Sequence, residues 1–249
     1  MWGIQPTFTY LKSQSIYFNL CKHFCYFKYN TEREVMSVSA EQNFIEIYHF
    51  INPLGRQCFI SEKEISEFSK ERYEKVSIRF IPFFNFSILN LQLSREDNQH
   101  ATLNDRNNMY SNAYLASLGF YAASIQGKKW GRKYLMVLQE RLFANEQQVT
   151  IELLNKIAED INIDLEMFQE DIESDCVKQM FVNDQKFAHE IDVSKTPTCI
   201  VYANGDDDTA YLIEEFINKE MLHSICKNDY VLESHTSNIV PLDVGDIYY

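Results

Sequence analysis

Thiols carry the clearest chemical potential in this chain. Its six cysteines are Cys21, Cys25, Cys58, Cys176, Cys199 and Cys226, and no two form a C-x-x-C pair. Cys58 closes the stretch Gly55-Arg56-Gln57-Cys58, which follows a strand-like run and leads into a helix-like one. A thiol at the first place of such a stretch would sit at a helix N-terminus. The helix dipole there lowers its pKa and makes it the attacking nucleophile. A thiol at the fourth place lies about one turn into the helix and resolves the mixed disulfide. Here Gly55 holds the first place, so thiol–disulfide exchange lacks its attacking group. Cys58 by itself supports at most a slow mixed disulfide, and its plainer reading is a small apolar core residue. Cys199 is expected in the core of a strand. Cys176 and Cys226 are expected on helices without redox work.

Two other constellations invite a metal reading. Cys21-Lys22-His23-Phe24-Cys25 offers three soft ligands in five residues, but a structural zinc site needs four at workable spacing and no partner cluster follows. Asp206-Asp207-Asp208 lacks the spacing and distal Glu of a calcium loop and reads as a solvated turn. No metal and no cofactor is expected.

The elements that must position Cys58 are legible around it. Phe44–Ile51 is rich in β-branched and aromatic residues and reads as a buried strand, broken by Asn52-Pro53-Leu54-Gly55. A helix is expected from about Cys58 to Tyr73, with Phe59, Ile65 and Phe68 on its apolar face. Val76–Pro82 alternates and ends at Pro82 as a second strand. Strand, helix and strand with this connection predict a parallel βαβ unit. Residues 84–108 are polar and Asn-rich and are expected to be a loop. Helices follow from about 109 to Gly127, then around Tyr134–Leu142. Thr150, Asp164 and Ser174 are expected to cap three more, Ile151–Asp160, one through Asp171, and Asp175 to about Glu190. Thr198–Tyr202 and Tyr211–Ile213 predict two strands joined by a hairpin at Asn204-Gly205. A closing helix is expected over Phe216–Cys226 and a polar tail over 227–249.

Composition bounds the class. With 249 residues, 45% of them hydrophobic and 14% aromatic, the chain can bury a substantial core. A net charge of -13 repels phosphate backbones, so nucleic acid is not an expected partner. The acidity suits a surface that meets basic tracts, or solubility alone. No run of about 18 apolar residues predicts a membrane span. The absence of a disulfide framework fits a reducing cytoplasm. Residues 1–35 carry nine aromatics without helical or alternating periodicity, and they lack the pattern of a secretory signal. Met36 is therefore read as the true start, and residues 1–35 as an upstream extension foreign to the domain.

The layout Ile47-x-x-Phe50-x-x-Pro53-x-x-x-x-Cys58, the helical insertion and Val193-Ser194-Lys195-Thr196-Pro197-Thr198 resemble the DsbA/FrnE-like thioredoxin family. Gly127-Lys128-Lys129-Trp130-Gly131-Arg132-Lys133-Tyr134-Leu135, Asp184-Gln185-Lys186-x-Ala188, the Asn-rich segment before the insertion and Ile217–Ile225 are similar to its SpxH (YjbH) branch. The resemblance covers roughly residues 40–228. It implies an α/β, thioredoxin-like (DsbA-like) fold with a helical insertion at about 109–172, and a tail at 229–249. In that fold the Gly55–Cys58 turn meets the Thr196-Pro197 loop. A cis X-Pro bond there exposes the preceding backbone to an extended peptide.

The branch implies a cytoplasmic adaptor, not an enzyme. It would bind the regulator Spx and promote Spx degradation by the ClpXP protease. Many members keep Cys-Pro-x-Cys where this chain has Gly55–Cys58, and some carry a His/Cys-rich metal-binding segment near the start. Here Met36–Phe50 holds only His49 and no cysteine. The expected site is thus a degenerate dithiol position at Gly55 and Cys58 facing a peptide-binding loop at Thr196 and Pro197. The alternative is a thiol–disulfide oxidoreductase acting through Cys58. A general peptide chaperone is a third reading.

Overall fold

The computed structural model describes residues 44–95, 101–144, 147–203, 210–226 and 239–242. The chain begins with β1 (Phe44–Ile51), α1 (Arg56–Glu71) and β2 (Lys75–Pro82). Six helices follow: α2 (Phe86–Arg95), α3 (Leu103–Ile125), α4 (Lys128–Ala144), α5 (Ile151–Ile161), α6 (Leu165–Glu173) and α7 (Asp175–Glu190). β3 (Thr198–Ala203), β4 (Ala210–Glu214), α8 (Lys219–Cys226) and β5 (Ile239–Leu242) complete the described residues. The sheet order is β2-β1-β3-β4-β5. β1 and β2 run parallel, as the βαβ reading requires, and the remaining neighbours are antiparallel.

Alternation along β1 and β3 divides the core between the two faces of the sheet. Ile45 and Ile47 of β1, with Cys199 and Val201 of β3, pack with Ile65 and Phe68 of α1 and Leu222 and Ile225 of α8. Tyr48, Phe50 and Ile200 face the other way, into a larger core with the helices of the insertion, including Leu135, Leu138 and Phe187. Each fully buried side chain of this size stabilises the fold by about 1.5–3 kcal/mol.

Helix boundaries follow local chemistry. The Thr150, Asp164 and Ser174 side chains accept from the backbone N–H of Leu153, Met167 and Val177, so all three expected caps form. The branch motifs have packing roles. A β-carbon on Gly131 would lie 1.9 Å from Ser124 Oγ, so only glycine lets α4 approach α3 this closely. Asp184 accepts from Tyr121 Oη at 2.7 Å and pairs with Arg79 of β2. Gln185 donates to the Pro82 carbonyl at 2.7 Å. Together they fasten α7 to the end of β2.

Three expectations are corrected. The polar stretch 84–108 is not one loop: α2 and the first turns of α3 lie within it, and residues 96–100 lie outside the described set. Asn85 Oδ1 accepts from Ile88 N–H at 2.9 Å at the head of α2, while Ile88, Leu89 and Leu93 supply a buried stripe. Thr102 and Asp105 form a reciprocal capping box that starts α3. The expected tail also contributes structure: Ile239–Leu242 pairs with β4 as an edge strand, a position that tolerates Pro241. The closing helix is shorter than expected because Asn218 Oδ1, accepting from Met221 N–H, starts it at Lys219. The Cys21–Cys25 cluster, residues 1–35, the Asn204-Gly205 turn and Asp206–Asp208 lie outside the described residues.

Candidate functional site at the head of α1

The turn between β1 and α1 is built on Asn52. Its carbonyl accepts from Gly55 N–H at 2.8 Å, and its Oδ1 accepts from Leu54 N–H at 3.1 Å. Its amide donates to Gln92 Oε1 at 2.5 Å, and Gln92 Nε2 donates back to the Leu54 carbonyl at 2.7 Å. The helix hidden in the Asn-rich stretch therefore clamps the turn that carries Gly55 and Cys58.

Gly55 caps α1 with φ -87° and ψ 115°, a backbone conformation open to any L-residue. Glycine is not required there by the main chain. Cys58 is 1% exposed. Its Sγ accepts from Asn52 N–H at 3.3 Å, which fixes the thiol against the turn.

Thr196-Pro197 is cis. Thr196 and Gly55 line one groove of about 370 Å³, together with Cys58, Leu91, Gln92 and Phe216. The structure thus brings together three of the four residues the sequence singled out: Gly55, Cys58 and Thr196 line the groove, while Pro197 is buried and is not among the lining residues. Three of the groove's apolar members are open to solvent: Ile60 is 45% exposed, Leu91 41% and Phe216 62%, while Ile88 is buried. Glu215, with φ +71°, turns the chain just before Phe216, and its N–H donates to the Pro197 carbonyl at 2.9 Å.

A buried polar bridge ties the two sides of the groove from beneath. His49 Nε2 lies 2.9 Å from Ser61 Oγ, and Ser61 Oγ donates to the Cys58 carbonyl at 2.8 Å. His49 Nδ1 lies 3.3 Å from the Thr198 carbonyl. Burial pushes the His49 pKa down to about 3, against the opposing pull of the Thr198 carbonyl. The imidazole is therefore neutral at physiological pH. One turn beyond Cys58, Glu62 is wholly buried and accepts from Gln139 Nε2 of α4 at 2.8 Å. Burial pushes its pKa up to about 8, against the Gln139 bond. Glu62 Oε2 and Gln139 Oε1 have no hydrogen-bond partner among the described residues. A proton on Glu62 would complete a second bond between the same two side chains, as a carboxylic acid and an amide can exchange two.

The sequence reading missed Asn52, Ser61, Glu62 and Gln92, and it gave His49 no role. A signal existed for two of them. His49 is polar inside an apolar strand, and Glu62 falls on the buried face shared by Cys58, Ile65 and Phe68. The other described thiols do not join the site. Burial pushes Cys199 well up and Cys226 up to about 11, and Cys176 is exposed on α7. With Gly55 in place of a second thiol, the groove holds one thiol, Cys58, and lacks a dithiol.

A family model described as Thioredoxin matches residues 48–224. Among curated proteins, the chain is 32% identical over 188 residues to the ClpXP adapter protein SpxH of Bacillus subtilis, covering 66% of this chain and 60% of that protein. It is 28% identical over 225 residues to the ClpXP adapter protein SpxH of Bacillus cereus, covering 83% of this chain and 75% of that one. The chain spans 60% and 57% of the length of the Bacillus subtilis and Bacillus licheniformis relatives. Among solved structures, the thiol–disulfide exchange protein alpha-DsbA2 of Wolbachia pipientis superposes with a TM-score of 0.56 at 14% identity, covering 91% of this chain and all of that one. BdbD of Bacillus subtilis gives 0.53 at 15% identity, covering 74% and 86%. These two likenesses show the fold.

Proposed function

This chain belongs to the thioredoxin family, and from that premise we propose that it works as an adaptor, binding the regulator Spx and delivering it to the ClpXP protease in the cytoplasm. The observation that carries the reading is the combination at the head of α1. The groove beside cis Thr196-Pro197 is formed, while the place of the attacking thiol is Gly55. A site that has kept its means of holding a peptide and lacks its nucleophile is suited to recognition without turnover. The names of the curated relatives supply the adaptor role and the protease. In this reading Thr196 supplies the peptide-facing edge of the Thr196-Pro197 loop, and Leu91 and Phe216 supply the apolar contacts. Purified chain added to Spx and ClpXP should accelerate Spx loss, and Cys58→Ser should do so equally well. Unchanged Spx turnover together with no detectable Spx binding would reject the proposal.

One observation favours a second reading, a thiol–disulfide enzyme acting through Cys58: this residue lies in the wall of the groove. A glutathione-exchange assay separates the two. Exchange that disappears in Cys58→Ser supports the enzyme, and equal background rates in both proteins end it.

A further inference from the structure

Acidic residues outnumber basic ones 36 to 23 in this chain. Against that excess, Lys128, Lys129, Arg132 and Lys133 fall within the first six residues of α4, and the first turn of α4 has no acidic residue. The packing of this motif is explained by its glycines and by Tyr134 and Leu135, which are buried. Its cations are not explained by packing. Lys129 and Lys133 are exposed and Arg132 is half-buried. Among the described residues, none of these three forms an ion pair with a carboxylate. The Lys133 ammonium instead lies 3.5 Å from the Ile161 carbonyl and 5.1 Å from the Trp130 ring centre. The neighbouring Lys128 has its pKa lowered, first by desolvation and then by the like charges of Arg79 and Arg132, with Glu46 pulling the other way. The end of a helix that prefers negative charge thus carries a crowd of positive charge. Local departures from such preferences concentrate where a protein has a use for them.

We propose that Lys129, Arg132 and Lys133 form a docking surface for an acidic segment of a second polypeptide. Their spacing selects this class of partner. Residues three and four apart share one helix face, with β-carbons about 5–6 Å from their neighbours. The three cations form a triangle of separate charged heads, each able to pair with one carboxylate of a short acidic run. A long phosphate polymer would run past these three cations onto a chain of net charge -13, whereas a short acidic run can end at the patch. The surface is also separate from the groove. The far end of α4 reaches the groove's edge, where Phe143 packs 5.7 Å from Phe59 and the Arg56 guanidinium lies 5.1 Å from the Phe143 ring. At 1.5 Å per residue, the cations stand about 15–20 Å from Phe143 along the helix. A protein that joins two others needs two such surfaces, and this one goes beyond the groove-based reading.

The test uses the full chain and a fluorescent oligo-glutamate peptide, followed by anisotropy at low and raised salt. An oligothymidylate of equal charge serves as competitor. The peptide should bind the unmodified chain and weaken with salt. Affinity should fall at least about tenfold in the Lys129→Glu/Arg132→Glu/Lys133→Glu variant. It should survive the charge-keeping exchange Lys129→Arg/Arg132→Lys/Lys133→Arg. Negative residues suit this end of α4, but Lys133→Glu also loses the Ile161 carbonyl contact, so folding of the reversed variant is checked by its melting curve. If it does not fold, Lys129→Gln/Lys133→Gln takes its place and should show a graded loss. No peptide binding at low salt, equal affinity in the reversed variant, or preference for the oligonucleotide would each overturn the proposal. The assay contains neither Spx nor protease, so such a failure leaves the adaptor reading to stand or fall on its own test.

Discussion

A β-carbon placed on Gly55 stands 3.0 Å from Cys58 Sγ and 3.5 Å from Cys58 Cβ. Disulfide-linked cysteines keep their β-carbons about 3.5–4.5 Å apart. Position 55 is therefore where the partner thiol of a dithiol would stand; its φ is open to any L-residue, and the Asn52 carbonyl, 3.2 Å from the β-carbon, must give by a few tenths of an ångström.

Gly55→Cys should consequently rebuild a working dithiol. The new thiol would sit at the start of α1, where the dipole favours its thiolate. Mild oxidation should convert residues 55 and 58 to a disulfide, detected as the loss of two titratable thiols and by peptide mapping. The variant should also reduce insulin faster than the parent. Persistence of both thiols under oxidant would show that the turn cannot adopt the closed geometry.

Glu62 makes stability depend on pH in an unusual direction. An acid with a raised native pKa contributes stability that is full below its unfolded value, near 4.5, and is lost as pH climbs to about 8. His49, whose pKa is lowered to about 3, acts oppositely, since its neutral burial is penalised as pH falls below about 6.5. The window from about 6.5 to 8 therefore excludes His49, and comparison with Glu62→Gln isolates Glu62 from the other raised carboxyl, Glu46. There the parent should lose up to about 1.4 kcal/mol per pH unit. Glu62→Gln should flatten that slope, because an amide pairs with Gln139 at any pH. Urea midpoints for both proteins across this window decide it, and parallel slopes would refute the protonated Glu62.

Gly131 and Ser124 hold α3 and α4 together by contact. A methyl at 131 would meet Ser124 Oγ at 1.9 Å and Ser124 Cβ at 2.9 Å. Gly131→Ala should destabilise the fold by about 1–3 kcal/mol through overpacking. Adding Ser124→Gly should recover part of that loss, although the Ser124 α-carbon at 3.1 Å still crowds the site. Chemical denaturation of the two single variants and the double variant gives the coupling, and simple additivity would place the strain elsewhere.

The fold was legible in the sequence wherever hydrophobic period and capping chemistry agreed. β1 shows alternation and a clean break at Asn52-Pro53, and α5, α6 and α7 each begin at a visible cap. α2 was hidden because its buried stripe, Ile88, Leu89 and Leu93, is short and flanked by Asn and Gln, so composition outweighed pattern. The Asn85 cap and the Thr102–Asp105 box were the available signals. β5 was hidden for another reason: Ile239–Leu242 is too short and too proline-marked to read as a strand until β4 offers it a partner. At the site, Gly55, Cys58 and Thr196-Pro197 were visible as local motifs. Gln92, Gln139 and Thr198 were not, because each acts on a residue distant in sequence, and only folding reveals such a bond.

Phe216 offers the most direct test of the groove itself. Its ring is 62% exposed, so truncation removes little burial and should leave the melting temperature unchanged. Yet it lines the same groove as Gly55 and Thr196, on a chain turned toward them by the left-handed Glu215. An exposed aromatic beside an open backbone edge is the kind of side chain that carries binding energy when a partner covers it. Phe216→Ala should therefore weaken Spx binding by about tenfold or more. It should slow Spx degradation in the reconstituted reaction to a matching extent at sub-saturating Spx. Lys219→Ala on the same connection is the control. Lys219 engages Glu67 and Glu71 of α1 outside the groove, so its loss should leave Spx affinity as it was. Equal binding by the parent and Phe216→Ala would move the client surface away from this groove.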